Sequence, residues 1–140
     1  MNSTYLYKTV LGLGIILFTF SFTSFSQTSL INGGFENGLT NWNNLASSGS
    51  IGTYSISSDA AEGSKSLKVE VTKLGPQSYN VQNIYKGGWS AEVGKTYKIN
   101  FYAKSPNSNT ELRVIQATNG FKSSNFGLTS EWKLYEFIYV

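Results

Sequence analysis

The sequence predicts an all-β fold, a two-sheet antiparallel sandwich, and three observations support this prediction. Short runs alternate apolar with polar residues, which is the period of a half-buried strand. Residues with turn chemistry separate these runs at a spacing typical of sandwiches and barrels. No stretch of useful length has the 3.6-residue period of an amphipathic helix. The length of 140 residues suggests one domain after a leader segment.

The leader, residues 1–26, has the organisation of a secretory signal peptide. Lys8 is the only charged residue ahead of an apolar run over residues 10–22, and small residues follow at Ser24 and Ser26. We therefore expect cleavage after Ser26 and a secreted or cell-surface bacterial protein that begins at Gln27. The alternative is a membrane anchor, but the apolar run is shorter than the ~20 residues that a spanning helix needs. No cysteine follows the run, which argues against a lipoprotein anchor.

The composition of the mature part, residues 27–140, excludes several function classes. It contains neither cysteine nor histidine, so disulfides, thiolate metal sites, cysteine nucleophiles, the Ser-His-Asp triad and the usual zinc ligands are excluded. Without Lys8, ten basic and eight acidic residues remain, scattered along the chain. A net charge of about +2 with no basic run does not indicate a nucleic-acid partner.

Two segments show clean strand alternation. In residues 66–72, Leu67, Val69 and Val71 point to one side, and the polar residues between them point to the other. Residues 96–104 alternate in the same way between an inner face, Tyr97, Ile99, Phe101 and Ala103, and an outer face, Lys98, Asn100, Tyr102 and Lys104. Weaker strand patterns occupy residues 51–57, 79–86, 111–118 and 132–140.

Turn residues punctuate the chain between these runs. Segments rich in Gly, Asn or Pro begin at Asn32, Asn37, Glu62, Gly87, Ser105 and Asn119. The sequence stops at Val140, within an aromatic, strand-like run. Because a closed sandwich would need at least one further strand to cover its core, we expect the sequence to be a fragment of a longer product.

Several segments, taken in order, resemble carbohydrate-binding modules of the family 4/9 (CenC-like) type. Residues 30–38, LINGGFENG, followed by Trp42, resemble the family's NGGFE…W start. Residues 62–69, EGSKSLKV, resemble its GxxSLKV strand, and residues 79–83, YNVQN, resemble its W-x-V-Q strand. Two further segments, residues 93–104 and 132–137, resemble the family's GKTY…F-x-A-K signature and its penultimate strand. The resemblance covers nearly all of residues 30–140.

The resemblance implies a galactose-binding-like jelly-roll sandwich that binds polysaccharide, such as β-glucan or xylan, without catalysis. It also implies an accessory role beside a glycoside hydrolase and, often, one structural Ca²⁺. Glu36 matches the family's carboxylate ligand for this ion, and the backbone carbonyl of Lys65 would add another oxygen. The family pattern ends in a strand that carries an Asp, and this sequence stops before it.

Six side chains are candidates for sugar contact. Aromatic rings cover the apolar face of a pyranose, while amides and charged groups bond its hydroxyls. Tyr79 and Gln82 match a strand that lines the family's cleft, where Tyr79 would stack on a sugar and Gln82 would bond it. The other four are outer-face or polar residues of later strands: Tyr102, Lys104, Arg113 and Gln116. Most other aromatic residues are expected in the core, including Phe35, Trp42, Tyr97 and Phe101.

The acidic residues do not indicate an active site. A glycosidase needs two carboxyl groups about 5–10 Å apart, one of them with a raised pKa. The seven Glu and one Asp of the chain show no such pair in a recognisable motif. We therefore predict a non-catalytic module. Two alternatives stay open, a structural or adhesive cell-surface domain without sugar affinity, and a catalytic fragment of a glycosidase.

Overall fold

The computed structural model describes residues 29–118 and 120–140, and all regular structure in them is β. Eight strands follow one another: β1 (Trp42–Ala46), β2 (Ile51–Ser57), β3 (Ser66–Lys73), β4 (Val81–Tyr85), β5 (Tyr97–Ala103), β6 (Glu111–Gln116), β7 (Lys122–Gly127) and β8 (Lys133–Tyr139). A helix that could span a membrane is not found in either of these two ranges. The predicted signal peptide, residues 1–26, lies outside the described residues.

The eight strands pair as four antiparallel, two-stranded sheets. β1 pairs with β4, β2 with β3, β5 with β8 and β6 with β7. The predicted all-β, antiparallel character is therefore confirmed, and the packing of one pair on another is consistent with a β-sandwich. Residues 51–57 form β2 as predicted, and the other predicted runs correspond to β3, β4, β5, β6 and β8.

Two strands were not predicted from the sequence, and several predicted strand bounds differ from those observed. β1 places Asn43 beside Asn44, and β7 is polar over most of its length, so neither shows the apolar alternation that marks a strand. Backbone hydrogen bonds to β4 and β6 hold these segments extended whatever their side chains are. The run predicted over residues 79–86 begins as a strand only at Val81, because Tyr79 lies in a turn.

In the N-terminal half, the β2–β3 pair packs against the β1–β4 pair at Tyr54. The Tyr54 hydroxyl lies 2.7 Å from the carbonyl oxygen of Leu45 and 2.8 Å from that of Gln82, so it bridges β1 and β4. Gly52 allows a close approach, because a Cβ at this position would lie 2.8 Å from Cγ1 of Val81. These contacts bring the two strand pairs together near one point.

Three aromatic rings pack together where the N-terminal half begins. Trp42 packs on Phe35 with ring centroids 4.9 Å apart and meets Tyr85 edge-on at 5.0 Å. The Trp42 indole N–H also donates to the Asn32 carbonyl oxygen at 2.9 Å, which ties the ring to the opening turns. Phe35 and Trp42 therefore pack within the fold, as expected for core residues.

The most deeply buried part of the described chain lies in the C-terminal half, where β5–β8 packs against β6–β7. Phe101 stacks on Tyr135 with centroids 5.6 Å apart and meets Phe126 edge-on at 5.3 Å. Phe137 and Tyr139 are buried further along β8. The N-terminal half is less well covered, because Val69 and Val71 of β3 are exposed although they share a face with Tyr54.

Candidate functional site

The outer face of the β5–β8 pair carries two of the six candidates. Burial along β5 alternates as predicted, with Tyr97, Ile99, Phe101 and Ala103 half-buried and the residues between them exposed. Tyr102 lies opposite Leu134 of β8, and the two residues are 40% and 51% exposed. Lys104 lies directly after β5 and Trp132 directly before β8, and both continue the alternation of this outer face.

Asp59, Lys104 and Trp132 meet at the end of this face and form what we call the Trp132 cluster. The Lys104 ammonium lies 2.6 Å from Oδ2 of Asp59 and 5.1 Å from the centroid of the Trp132 ring. The Trp132 indole N–H donates to Oδ1 of Asp59 at 2.9 Å. Asp59 belongs to the loop after β2, so the cluster joins the N-terminal half to the β5–β8 pair.

Charge and hydrogen bonding hold this cluster in place. The bond from Lys104 and then the bond from Trp132 lower the pKa of Asp59, so its carboxylate is ionised at neutral pH. The carboxylate orients the indole, and the ammonium lies over the indole ring as a cation–π partner. Together with the Tyr102 ring, the surface offers aromatic area beside charged hydrogen-bonding groups. Such a surface suits a ligand with a flat apolar face and many hydroxyls.

Tyr79 and Gln82 lie together on a different strand pair. Tyr79 is exposed in the turn that precedes β4, rather than on a strand as predicted. Gln82 lies on β4, and its amide Nε2 donates to the carbonyl oxygen of Tyr79. The amide therefore closes its own turn in this structure, while the Tyr79 side chain is presented to solvent.

Arg113 and Gln116 share β6 but lie on opposite faces of it. Arg113 is exposed, its Nη2 donates to Oγ of Ser123 at 3.0 Å, and its guanidinium lies 5.8 Å from the centroid of the Phe121 ring. Gln116 is only 5% exposed, and its amide donates to the hydroxyl and the carbonyl oxygen of Thr118. The Gln116 amide is thus held inside the fold by Thr118, and a sugar contact of Gln116 stays a prediction.

Glu36 joins two loops through hydrogen bonds with Ser64 and Lys65, and these three residues with Gly63 form what we call the Glu36 clasp. Oε1 of Glu36 accepts hydrogen bonds from the backbone N–H groups of Ser64 at 2.7 Å and Lys65 at 3.0 Å. Oε2 accepts the Ser64 hydroxyl at 2.5 Å, and the Lys65 ammonium donates to the Glu36 carbonyl oxygen at 2.7 Å. These contacts lower the pKa of Glu36, and the Ser64 hydroxyl is the largest cause.

The Glu36 clasp does not fit the calcium site that the resemblance implies. Ca²⁺ takes six to eight oxygen ligands, whereas both carboxylate oxygens of Glu36 already accept N–H or O–H donors. The Lys65 ammonium also lies where it would repel a cation. Among residues 29–118 and 120–140, no group of three or more His, Cys, Asp or Glu could hold a metal ion. Calcium ligation by Glu36 and the Lys65 carbonyl stays a prediction from resemblance alone.

Comparison with known protein families shows which class of domain this is. The model of the CBM_4_9 family, described as a carbohydrate binding domain, matches residues 27–140. The chain belongs to this family. No curated protein and no solved structure matches the sequence. All strands of the structure lie within the matched residues, so the carbohydrate-binding domain includes both halves described above.

Membership of this family implies that the chain binds carbohydrate, and domains of this type are typically non-catalytic. Of the six candidates, the structure places Tyr102 and Lys104 on one face beside a further aromatic residue, while the others lie on other strand pairs. Sequence reasoning did not assign Trp132 or Asp59 to this surface. Two features of the sequence could have indicated them. Trp132 comes directly before β8 and is an even number of residues from Leu134 and Glu136, which face outward. Asp59 is the only Asp of the chain.

Proposed function

We propose that this carbohydrate-binding domain binds polysaccharide of the β-glucan or xylan type and keeps an associated glycoside hydrolase near its substrate. The family match supports carbohydrate binding, and the Trp132 cluster supports a place for it on the outer face of β5–β8. Tethering would act by raising the effective concentration of enzyme at the polysaccharide. The domain itself would carry out no bond cleavage.

The chemistry of the proposed surface matches that of a glucan or xylan chain. The rings of Tyr102 and Trp132 would cover the C–H faces of sugar units. Each Asp59 oxygen already accepts one donor, and its second lone pair would accept a sugar hydroxyl, while the Lys104 ammonium would donate to sugar oxygens. Because Asp59 and Lys104 are already bonded to the ring or to one another, little side-chain entropy is lost when sugar arrives. Tyr79, Gln82 and Arg113 are proposed as additional contacts on the other strand pairs.

The arrangement of the layers is also part of the proposal. We propose a jelly-roll sandwich in which β2–β3 and β5–β8 share one layer while β1–β4 and β6–β7 share the other. The bonds that Lys104 and Trp132 donate to Asp59 support this arrangement, because they bring the end of β2 beside the ends of the β5–β8 pair. Export after cleavage behind Ser26 is proposed from the leader sequence, and N-terminal sequencing of the secreted protein would test it.

Affinity electrophoresis tests the proposed function directly. The purified chain is run through native gels that contain xylan, laminarin, lichenan or soluble cellulose, and retardation on at least one of them is expected. A folded protein that none of these polysaccharides retards would contradict the binding proposal. Release of reducing sugar from any of them by the purified chain would contradict its non-catalytic nature. The same gels with added Ca²⁺ or a chelator test whether the ion contributes.

Trp132→Ala is expected to weaken binding to the retarding polysaccharide by about 1–3 kcal/mol, the usual loss when a stacking ring is removed. This corresponds to roughly a 5- to 150-fold rise in Kd. Ile31→Ala is the control, because Ile31 is an exposed apolar residue (66%) in the turns that precede β1. Circular dichroism shows whether both variants are folded. Equal loss of affinity in the two variants, or loss in the control alone, would place the binding surface elsewhere.

A further inference from the structure

A polar pocket lies between the loop that follows β5 and the loop that precedes β8. Residues 105–109 and 128–130 line it, and its volume is about 370 Å³. This volume falls within the range of pockets that hold small molecules, roughly 300–1,000 Å³. Strand β8 begins beside the pocket and runs away from it for 7 residues, which is a distance of about 23 Å. The pocket therefore lies at the opposite end of β8 from Tyr139.

Hydrogen bonds between the two loops give the pocket a fixed shape. The backbone N–H of Ser105 donates to the Thr129 carbonyl oxygen at 2.9 Å. The backbone N–H of Leu128 donates to the Thr110 carbonyl oxygen at 2.8 Å. The buried Ser105 hydroxyl accepts the Asn107 backbone N–H at 3.2 Å and donates to the Thr110 hydroxyl at 2.9 Å. Because these bonds form the pocket before a ligand arrives, little conformational entropy is lost on binding.

The side chains of Asn107 and Asn109 line this pocket and are available to a ligand. Both residues are exposed, and neither side-chain amide forms a hydrogen bond within residues 29–118 and 120–140. Each such amide can donate two hydrogen bonds and accept two. Pro106 and Leu128 add apolar surface, one from each loop. The pocket thus offers amides for hydroxyls and apolar surface for C–H groups, which is the combination that a sugar unit presents.

The charge of the pocket favours a neutral sugar. None of the residues that line it, 105–109 and 128–130, has a charged side chain. A uronic acid would bring a carboxylate that gains no ion pair from these residues, while part of its hydration is lost. Neutral pentose or hexose units have only hydroxyls and C–H groups to satisfy.

The pocket continues the surface proposed for polysaccharide. Ser105 directly follows Lys104 in the chain. Ser130 is two residues before Trp132, which places their Cα atoms at most about 7 Å apart. We propose that the pocket receives one further neutral sugar unit of a polysaccharide that lies on the Trp132 cluster. The proposal rests on the proposed function. The unit is the next one of the same chain or a side branch, since both present hydroxyls and C–H groups.

A double variant, Asn107→Ala with Asn109→Gly, tests this proposal by affinity electrophoresis on the polysaccharide that retards the wild type. Glycine suits position 109, because Asn109 has φ of +65°. Loss of both side-chain amides is expected to raise Kd roughly tenfold, as for the loss of one or two hydrogen bonds. Asn41→Gly is the matched control and should bind like the wild type, because Asn41 also has a left-handed φ, +69°, but lies before β1. Thermal unfolding shows whether each variant is folded.

Enzymatic removal of side branches from the same polysaccharide distinguishes the two sources of the sugar unit. A loss of affinity in the double variant that persists on the debranched polysaccharide would assign the pocket to the next unit of the main chain. A loss that disappears after debranching would assign the pocket to a branch.

The outcomes also separate this proposal from the proposed function. Retardation of the wild type with an unchanged Kd in the double variant would overturn the pocket and leave the proposed function standing. An equal loss of affinity in Asn41→Gly would also contradict the pocket, because that residue does not line it. Failure of the proposed function would instead appear as no retardation of the wild type on any polysaccharide, and both proposals would then fall.

Discussion

Phe137→Ala is expected to lower the free energy of unfolding by about 3–5 kcal/mol, the usual cost of removing a large ring from a packed core. Phe137 is only 5% exposed and packs on Tyr139 with ring centroids 5.2 Å apart. Its other neighbours in the core include Ala91, Trp89 and Ile99. Domains of this kind are stable by only about 5–15 kcal/mol in total. The substitution therefore removes a large share of that stability, and urea denaturation followed by tryptophan fluorescence measures it.

Ile138→Ala is the control for this prediction. Ile138 is the next residue along β8, but its side chain points to the opposite face and the residue is 56% exposed. We expect its replacement to change stability by no more than about 0.5 kcal/mol, as for most surface positions. A similar cost at both positions would mean that β8 does not bury the face assigned here. A larger loss of stability in Ile138→Ala than in Phe137→Ala would mean that the opposite face of β8 is the buried one.

Gly63→Ala is expected to break the Glu36 clasp. Gly63 has φ of +70°, and a Cβ on it would lie 2.2 Å from Oε1 of Glu36. The carboxylate would have to leave its bonds to Ser64 and Lys65, in addition to the backbone cost of a left-handed alanine, about 1–2 kcal/mol. Gly38→Ala isolates that backbone cost, because Gly38 has φ of +62° and nothing lies within 4 Å of its added Cβ. Thermal unfolding of the two variants is compared, and the lower Tm is expected for Gly63→Ala.

Comparison of the wild type with Gly63→Ala at several pH values also tests the Glu36 clasp. Hydrogen bonds lower the pKa of Glu36 in the folded state below its ordinary value of 4.5. The stability that the ionised carboxylate contributes is therefore present above pH 4.5 and is lost as pH falls through the folded-state pKa. The difference in Tm between wild type and Gly63→Ala should accordingly narrow between pH 7 and pH 3. A constant difference over this range would show that the clasp contributes nothing to stability.

Strand positions were largely predictable because alternation is a local property. Residues 51–57 and the two faces of β5 follow from the period of two in the sequence. β1 and β7 were not predictable in this way, since Asn and Ser dominate them and their extended form depends on the partner strand. The exposure of Val69 and Val71 could not be foreseen either, because a pattern of apolar residues does not say whether another sheet covers them.

The candidate site shows the same division between local and long-range information. Tyr102 and Lys104 were assigned to an outer face by alternation, and the structure places them there. Their neighbourhood could not be predicted, because Trp132 bonds an aspartate 73 residues earlier in the chain. Gln116 was chosen for its polar side chain and its nearness to Arg113 in sequence, yet it lies on the opposite, buried face of the same strand.

The all-β class, the family resemblance and the exclusion of histidine and cysteine chemistry all followed from the amino-acid sequence. These conclusions depend on composition, on short motifs and on periods of two residues, all of which can be read along the chain. Which side of β8 is core became known from the packing, because Leu134 and Ile138 on one side are as apolar as Tyr135, Phe137 and Tyr139 on the other. The packed face is the one that the β6–β7 pair meets, since burial depends on the neighbouring sheet as well as on the residue.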